Sequence, residues 1–285
     1  MRLVYTSDLH GNIDLYRAAG EAAVRTRADA LIFGGDLCPG TPSGASIHLP
    51  VDQPEFLLYR LSHLLDTWKE AHPALRVFAI PGNDDCQTVL PALEELEMNN
   101  LIENLHQEIR TLGAYTLMGL ACVPPTPFHL KDFERWDEAP EPEGDGYAYQ
   151  CVVGTPKGFM VVEDFRALLD SMPSLTQELR RLPVKDPRHT VAVIHPPPFN
   201  TKCDVLFDGR HIGSKAVRTW IEKNQPLLTL HGHIHESPKL SRSFGDRIGA
   251  TTVINAGCDH TRPHLVFIDL DRPAEIEHSL YGKMT

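Results

Sequence analysis

The sequence contains no pair of cysteines with the Cys-x-x-Cys spacing. Its six cysteines are scattered over 285 residues, at positions 38, 86, 122, 151, 203 and 258. This scatter excludes zinc knuckles and thioredoxin-like redox sites, which need paired thiols. Single thiols are typical of proteins that stay in a reducing compartment, so we expect a cytoplasmic protein without disulfides.

Long apolar runs and basic clusters are also missing, and we expect no secretory leader. No uninterrupted apolar stretch reaches the roughly 18 residues that span a bilayer, and the chain starts in a predicted strand rather than in a leader. The 38 acidic residues outnumber the 27 lysines and arginines, which gives a formal net charge of −11. Because lysine and arginine drive nucleic-acid binding, we expect no obligatory nucleic-acid partner. Because no apolar stretch is long enough to span a bilayer, we also expect no membrane partner. A small anion fits this charge if bound metals supply positive charge.

Strand and helix patterns alternate in the first third of the chain. With 42% hydrophobic residues, the chain can bury a large core. Since alternating strands and helices form parallel sheets with helices on their faces, this part predicts a largely parallel sheet. The predicted segments are strands at residues 3–5, 30–33 and 75–80, a helix at 13–27 capped by Asn12, and a helical stripe of Leu57, Leu58, Leu61, Leu64, Leu65 and Trp68.

After residue 100 the strands become shorter, with a turn at Gly113, which predicts a second and more antiparallel sheet. Residues 121–150 are rich in proline and acid, which predicts a surface insertion. The long loop at 37–54 is a candidate lid. We found no repeat or linker and expect one domain over residues 1–285. The other predicted segments are strands at 191–194, 252–254 and 265–268, a helix capped by Ser214, and a helix with Val161, Phe165, Leu168, Leu169 and Met172 on its apolar face.

Five apolar runs, the last of them "PLLTL" at residues 226–230, lead into side chains that can bind metals. Asp8 and His10 follow the first strand two positions apart, and residues i and i+2 of an extended chain point to the same side. The carboxyl ends of strands in open α/β sheets form the crevice where ligands bind, so we expect all these side chains at one edge. The complete set is Asp8, His10, Asp36, Asn83, His195, His233 and His235.

Each of these motifs also has a structural explanation by itself. "PGND" and "GGD" are common turn sequences, and a lone His195 at a strand end is often a core histidine with a satisfied hydrogen bond. The two histidines of "GHIH" give the strongest single signal. Independent turns are not expected to produce seven ligand-type side chains at five strand ends. Carboxylate, amide and imidazole together favour Mn²⁺, Fe²⁺ or Zn²⁺ over Ca²⁺.

The order of these motifs resembles that of the calcineurin-like metallophosphoesterases, whose signature is D-x-H, G-D, G-N-H-D/E, a lone H and G-H-x-H. The matching letters here are "DLH" at 8–10, "GD" at 35–36, "GNDD" at 82–85, His195 and "GHIH" at 232–235. The resemblance implies a four-layer αββα sandwich of two mixed sheets flanked by helices.

The same resemblance implies a dinuclear site with two divalent metals, Mn²⁺ or iron first and Zn²⁺ as the alternative. A hydroxide shared by the metals would attack a small phosphate ester. The implied ligands are Asp8, His10, Asp36 and His235 for one metal and Asp36, Asn83, His195 and His233 for the other, with Asp36 bridging.

Two departures from the family pattern affect the function. Asp84 stands where the family has the histidine that stabilises the transition state or protonates the leaving group. Either Asp84 is an acid with a shifted pKa, or His211 or His260 replaces it, or the substrate has a good leaving group; we favour the last explanation. Asp85 takes the next acid position, as an orienting partner of the ligands. "GDLCPG" lacks the D-R-G arginine of protein phosphatases, so the chain looks more like small bacterial phosphodiesterase-type members.

The sequence therefore predicts an enzyme that hydrolyses a phosphodiester or a small organic phosphate. The preference for a diester depends on the missing arginine and on Asp84. The alternatives are a phosphomonoesterase and a non-catalytic metal-binding scaffold of the same fold. Such a scaffold should have broken ligand positions, whereas all seven are present here. No pattern in the sequence indicates an oligomeric state.

Overall fold

The computed structural model describes residues 1–40, 52–139 and 150–284. Most of the candidate lid at 37–54 and the last part of the predicted insertion lie outside these residues. The strands, in chain order, are β1 (Arg2–Thr6), β2 (Ala30–Phe33), β3 (Arg76–Ala79), β4 (Glu103–Asn104), β5 (Ile109–Leu112), β6 (Tyr115–Leu120), β7 (Cys151–Thr155), β8 (Gly158–Val162), β9 (Thr190–Ile194), β10 (Leu228–His231), β11 (Gly245–Ile248), β12 (Thr251–Asn255), β13 (Val266–Asp269), β14 (Ile276–His278) and β15 (Gly282–Lys283).

The helices are short, and within the described residues none is both long and apolar enough to cross a bilayer. A π-helical segment, Phe56–Leu61, joins α2 to α3, and a 3₁₀ turn, Pro187–His189, precedes β9. The α-helices are α1 (Ile13–Thr26), α2 (Gln53–Glu55), α3 (Ser62–Ala71), α4 (Val89–Met98), α5 (Phe165–Asp170), α6 (Leu175–Arg180), α7 (Lys215–Asn224) and α8 (Ser237–Ser241).

The first sheet has the strand order β15-β14-β13-β1-β2-β3-β4. Strands β1 to β4 are parallel, with Leu3 opposite Ala30 and Ala30 opposite Arg76. Helices α1 and α3 lie where the sequence predicts helical segments, whereas α4 is not among the predicted segments. Asn12 caps α1 by accepting the backbone N–H groups of Asp14 and Leu15. The parallel half of the sheet is therefore the one that alternating strand and helix patterns predict.

The second sheet has the strand order β11-β12-β10-β9-β6-β5. Its four inner strands are parallel to one another, and only β5 and β11 at its edges are antiparallel to their neighbours. The expectation that this sheet is more antiparallel than the first is therefore wrong, because the first sheet has three antiparallel pairings and the second has two. Short strands suggested hairpins, but long connections through α5, α6 and α7 return the chain to the same direction.

Apolar side chains from both sheets fill the space between them, including Leu3, Ile32, Val191 and Leu230. The outer face of the first sheet packs against α1, α3 and α4, whose apolar sides share one core cluster with it. The outer face of the second sheet packs against α6 and α7 in the same way. The fold is therefore the predicted αββα sandwich with two mixed sheets.

Two predicted segments differ in the structure, one in its secondary structure and one in the sheet that it joins. Val161 lies in β8, half of a hairpin with β7, and α5 starts only at Phe165. Asp164 caps the N-terminus of α5, so the helix begins after Val161. The predicted apolar face of this helix therefore does not include Val161. The strand predicted at 265–268 is β13, which pairs antiparallel with β1 in the first sheet instead of joining the second.

Residues 121–139 are not the surface insertion that their composition predicts. Phe133 packs in the core beneath α6 and α7, and Trp136 packs in a smaller cluster with Leu169. Lys131 and Glu134 form an ion pair whose side chains are both fully buried. Composition is misleading here, because charged residues can be buried when they are paired with each other. All six cysteines are buried thiols.

Candidate metal centre

The strand ends bring the seven predicted ligands to one edge of the molecule. Three of the loops follow β1, β2 and β3 in the first sheet, and two follow β9 and β10 in the second. Backbone hydrogen bonds of 3.0 Å connect neighbouring loops, from Asp8 N to Gly35 O and from Gly232 N to His195 O. The predicted ligands placed in this way are Asp8, His10, Asp36, Asn83, His195, His233 and His235.

The first donor group consists of Asp8, His10, Asp36 and His235. Each of these residues offers a carboxylate oxygen or a ring nitrogen, and these atoms all lie within 4.8 Å of one another. Nε2 of His235 is 3.3 Å from Nε2 of His10 and 3.2 Å from Oδ1 of Asp8. Two imidazoles and two carboxylates at this spacing can bind one divalent cation.

The second donor group consists of Asp36, Asn83, His195 and His233. Oδ1 of Asn83 lies 2.6 Å from Nδ1 of His233 and 3.2 Å from Nε2 of His195. Nε2 of His195 is also 3.4 Å from Oδ2 of Asp36. The second group therefore meets the first at Asp36, and the two together contain every predicted ligand.

The ring orientation of His195 is set by the backbone after β2. Its Nδ1 lies 2.8 Å from the carbonyl oxygen of Gly34, which can only accept a hydrogen bond. Nδ1 therefore carries a proton, and in the neutral ring Nε2 has a free lone pair. That lone pair points towards Asn83 and Asp36. A backbone carbonyl that fixes the tautomer in this way is typical of metal-binding histidines.

Four of the predicted ligands have left-handed backbone conformations. The φ angles are +60° for Asp8, +46° for His10, +50° for Asp36 and +66° for His233. A non-glycine residue in this region costs on the order of 1 to 3 kcal/mol, and such residues cluster at functional sites because the surrounding structure imposes them. Hydrogen bonds between loops impose the conformation here, for example the 2.9 Å bond from His10 N to Asp36 O.

Glycines keep the space around the donors open. A Cβ on Gly82 would lie 2.2 Å from Oδ1 of Asp36 and 2.7 Å from Nε2 of His195. A Cβ on Gly232 would lie 2.3 Å from Oδ2 of Asp8. All three distances are too short for real contacts, so only glycine permits the loops to approach the donors this closely.

The donors fit a divalent cation better than they fit one another. Oδ2 of Asp8 is buried and has no hydrogen-bond partner among the described residues, although a buried carboxylate oxygen without a partner is costly. The ion-pair partners that the described residues give Asp8 and Asp36 are all histidines. A cation between these oxygens and nitrogens would satisfy the buried charges.

The close pairing of carboxylates and imidazoles shifts their pKa values. Burial opposes ionisation of Asp8 and Asp36, but the charge of neighbouring histidines outweighs it, so the pKa of Asp8 falls well below its usual range and that of Asp36 to about 2. Burial opposes protonation of His195, but Asp36 outweighs it and raises the pKa to about 9. For His235, burial is outweighed by the charge of Asp8, and the pKa rises to about 8. Since metal-bound histidines are neutral, metal binding would release these protons.

Asp84 lies at the border between the donors and an open cleft. Its side chain is 34% exposed, and Oδ2 is 3.5 Å from Nδ1 of His10. Burial of the carboxyl and the charges of Asp36 and Asp85 raise the pKa of Asp84 to about 7. A cation bound nearby would lower this value, because positive charge favours the carboxylate. The part that Asp84 plays in proton transfer stays a prediction.

Asp85 is fully buried and contacts backbone rather than the ligand side chains. Its carboxylate accepts hydrogen bonds from the N–H groups of Leu37, Cys38 and Gly82, at 2.8 to 2.9 Å. These bonds tie the loop after β2 to the loop after β3. These contacts agree with an orienting part for Asp85 through the loops that carry Asp36 and Asn83, and this part stays a prediction.

His260 lies beside two of the predicted ligands. Its ring centroid is 5.2 Å from those of both His10 and His235, and the three rings offer nitrogens within 4.8 Å of one another. From the sequence we expect His260 only as a possible substitute acid, since none of the ligand motifs contains it. His211, the other substitute, instead pairs with the buried Asp204 through a 2.7 Å contact from Nδ1 to Oδ1.

Comparisons with known proteins agree with this architecture. An uncharacterized protein of Methanocaldococcus jannaschii, MJ1162, is 25% identical over 259 residues, which cover 90% of this chain and 87% of that protein. The crystal structure of TT1561 of Thermus thermophilus superposes with a TM-score of 0.59 at 17% identity and covers 98% of both chains. That of a dimetal phosphatase from Danio rerio superposes with a TM-score of 0.51 at 14% identity and covers 100% of this chain and 96% of the other.

The two structural similarities show that the fold is shared. The sequence also matches the family model described as calcineurin-like phosphoesterase over residues 1–237. Since that match contains all seven predicted ligands and most of the 285 residues, the chain belongs to the calcineurin-like phosphoesterase family and is a hydrolase that acts on phosphate esters.

Proposed function

We propose that this phosphoesterase uses two divalent cations, one in each donor group, to hydrolyse a phosphodiester or a small organic phosphate. The observation that supports this most directly is the position of Asp36. Its Oδ2 lies 3.4 Å from Nε2 of His195 and 3.8 Å from Nε2 of His10, so one carboxylate faces both donor groups. A bridging carboxylate between two cations must occupy such a position.

When bound, the cation pair would supply the positive charge that lowers the pKa of a shared water and neutralises phosphoryl oxygens. The protein's own residues hold the donors in place before substrate binds. Gly34 fixes the ring of His195, and Asp85 fixes the loops that carry Asp36 and Asn83. Donors fixed in advance need little reorganisation during the reaction. A chain with a net charge of −11 can bind an anionic ester in this way, because the charge at the binding site affects the ester more strongly than the net charge of the chain.

The donor chemistry supports manganese or iron as the metals, with zinc as the alternative. Carboxylate and amide oxygens occur together with imidazole nitrogens across the two groups. Mixed oxygen and nitrogen sites suit these borderline ions, whereas Ca²⁺ prefers oxygen alone. A cytoplasmic location stays a prediction.

Two features support a diester as the substrate. The loop "GDLCPG" at residues 35–40 offers no arginine for a second phosphoryl charge. Asp84 faces the same cleft as Asn83 and His233, and an ionised carboxylate would repel a monoester dianion more than a diester monoanion. A phosphomonoesterase is the alternative within the same chemistry.

The test combines elemental analysis with two matched esters. Protein stripped with a chelator and reloaded with Mn²⁺ should contain two ions per chain and hydrolyse bis-p-nitrophenyl phosphate faster than p-nitrophenyl phosphate. Faster monoester turnover would favour the phosphomonoesterase. Tight binding of only one ion, or turnover of neither ester with Mn²⁺, Fe²⁺ or Zn²⁺, would contradict the two-metal proposal.

A further inference from the structure

A cleft of about 670 Å³ extends away from the predicted ligands. One end contains Asp36, Asn83, His233 and His235, together with Asp84. Beyond them, two chain segments line the cleft, and we call them the first wall (residues 124–128) and the second wall (residues 206–212). The volume is within the range of sites that enclose a small organic ligand.

Both walls present apolar side chains to solvent. Phe128 in the first wall is 53% exposed, and Phe207 and Ile212 in the second wall are 80% and 39% exposed. A single exposed apolar residue is ordinary, but several around one cleft that also holds polar donors indicate a binding surface. Pro124, Pro125 and Pro127 add further apolar surface to the first wall.

A buried ion pair binds the first wall through hydrogen bonds to Thr126. Nζ of Lys131 donates to the carbonyl oxygen of Thr126 at 2.8 Å and to Oε1 of Glu134 at 2.9 Å. The hydroxyl of Thr126 donates to Glu134 as well. Burying two charges costs desolvation energy, and here the pair fixes the carbonyl and the hydroxyl of Thr126, the central residue of the wall.

The second wall is held by one buried carboxylate. Asp204 is fully buried and accepts hydrogen bonds from the N–H groups of Thr201 and Gly213, at 2.8 and 3.0 Å. The wall itself closes through a 2.9 Å bond from Leu206 N to Arg210 O. A fixed apolar surface loses little conformational entropy when a ligand binds to it.

The cation in the second wall is already paired. Nε of Arg210 lies 2.6 Å from Oδ2 of Asp208, which is two residues away in the same turn. The pair of Arg210 and Asp208 therefore adds no net positive charge to the second wall. The anionic end of a ligand belongs at the predicted ligands, and its apolar end belongs between the walls.

We infer that the organic group of the substrate carries a planar aromatic ring, which lies against Phe128 and Phe207 while the phosphoryl group occupies the donor end. This inference depends on the proposed function. Flat phenylalanine and proline faces favour a planar ring over a flexible alkyl chain, because stacking adds to the effect of area burial. A nucleobase and a simple aryl group share this chemistry.

The test measures binding rather than turnover. Full-length Mn²⁺-loaded protein is titrated calorimetrically with phenylphosphonate, hexylphosphonate and methylphosphonate, which share a head group that is not hydrolysed. We expect phenylphosphonate to bind about tenfold more tightly than methylphosphonate. Phe128→Ala and Phe207→Ala should each reduce this ratio, and the double variant should bring it close to one. Tyr59→Ala is the matched control, since Tyr59 is a 74% exposed aromatic residue outside the cleft.

The outcomes separate the two proposals. A ratio that survives in the double variant, or a hexyl compound that binds as tightly as the phenyl compound, would overturn the ring assignment and leave the proposed function intact. Failure of all three phosphonates to bind would overturn the ring assignment, whereas the proposed function is contradicted only by its own metal analysis and ester assays. If phenylphosphonate is preferred, displacement by adenosine identifies a nucleobase as the ring, and lack of displacement identifies a single-ring aryl group.

Discussion

The backbone N–H of Asp84 donates a 2.8 Å hydrogen bond to Oδ1 of Asp36. This bond ties the loop after β3 to one oxygen of the carboxylate and leaves Oδ2 towards His195 and His10. The two oxygens of Asp36 therefore have different contacts: Oδ1 binds the neighbouring loop, and Oδ2 faces both donor groups. Changes at either residue should affect the centre in distinguishable ways.

Asp36→Asn should lose both cations. Asparagine can keep the acceptor for Asp84 N–H, so the loop should stay in place, but the side chain loses its negative charge and presents at most one acceptor oxygen. Elemental analysis after dialysis, with circular dichroism to confirm the fold, measures the effect. Asp14→Asn, at an 81% exposed position, is the control and should keep its metals. Retention of two tightly bound ions by Asp36→Asn would contradict the bridging role.

Asp84→His should restore an acid at the position where the family has one. If the missing acid limits the rate, turnover of esters with poor leaving groups should rise, by up to about 100-fold, while esters of nitrophenol change little. The dependence of kcat on the leaving-group pKa should flatten. Asp84→Asn, which removes the charge without adding an acid, should keep the original slope. An equal change for all leaving groups in Asp84→His would rule out this explanation.

Gly82→Ala should disrupt the centre without destroying the fold. The added Cβ would lie 2.2 Å from Oδ1 of Asp36, so the carboxylate must move. We expect metal affinity to fall about tenfold or more and the free energy of unfolding to fall by about 1 to 3 kcal/mol. Gly40→Ala is the control, because the nearest atom to its added Cβ would be Oδ2 of Asp84, at an ordinary contact distance of 3.8 Å. Equal metal affinity for the two variants would show that the glycine is not needed.

His278 should make the protein less stable in acid. It is 1% exposed, with Nε2 2.9 Å from Ala256 O and Nδ1 accepting the N–H of Leu280. Burial, the larger cause, lowers its pKa to about 4, against the hydrogen bond to Ala256. The folded pKa is below the unfolded value of about 6.5, so this stability is present above pH 6.5 and is lost as the pH falls towards 4.

This loss should amount to about 3 kcal/mol between pH 7 and pH 4. His278→Gln should therefore show a flatter dependence of the free energy of unfolding on pH, measured by urea titration of chelator-treated protein. His63→Gln, at an exposed position in α3, should behave as the unchanged chain does. Parallel curves for His278→Gln and the unchanged chain would refute the assignment.

The sequence alone determined the fold class and the order of the ligand motifs. Apolar runs that end in Asp8, Asp36 and Asn83 could be read directly, because a strand and the residue after it are local in the chain. The parallel pairing of β1, β2 and β3 follows from the helices between them. That these side chains are metal ligands remains a prediction, which the metal analyses of Asp36→Asn and Gly82→Ala address.

Only the tertiary structure decided which distant segments meet. It placed β13 beside β1, brought His260 next to His10, and buried Lys131 in a segment whose composition predicts a surface loop. Local patterns report the polarity of each residue, but they do not report whether a charge will find a partner. The first cleft wall depends on a buried ion pair and the second on one buried carboxylate, because tertiary contacts satisfy groups that the sequence by itself assigns to water.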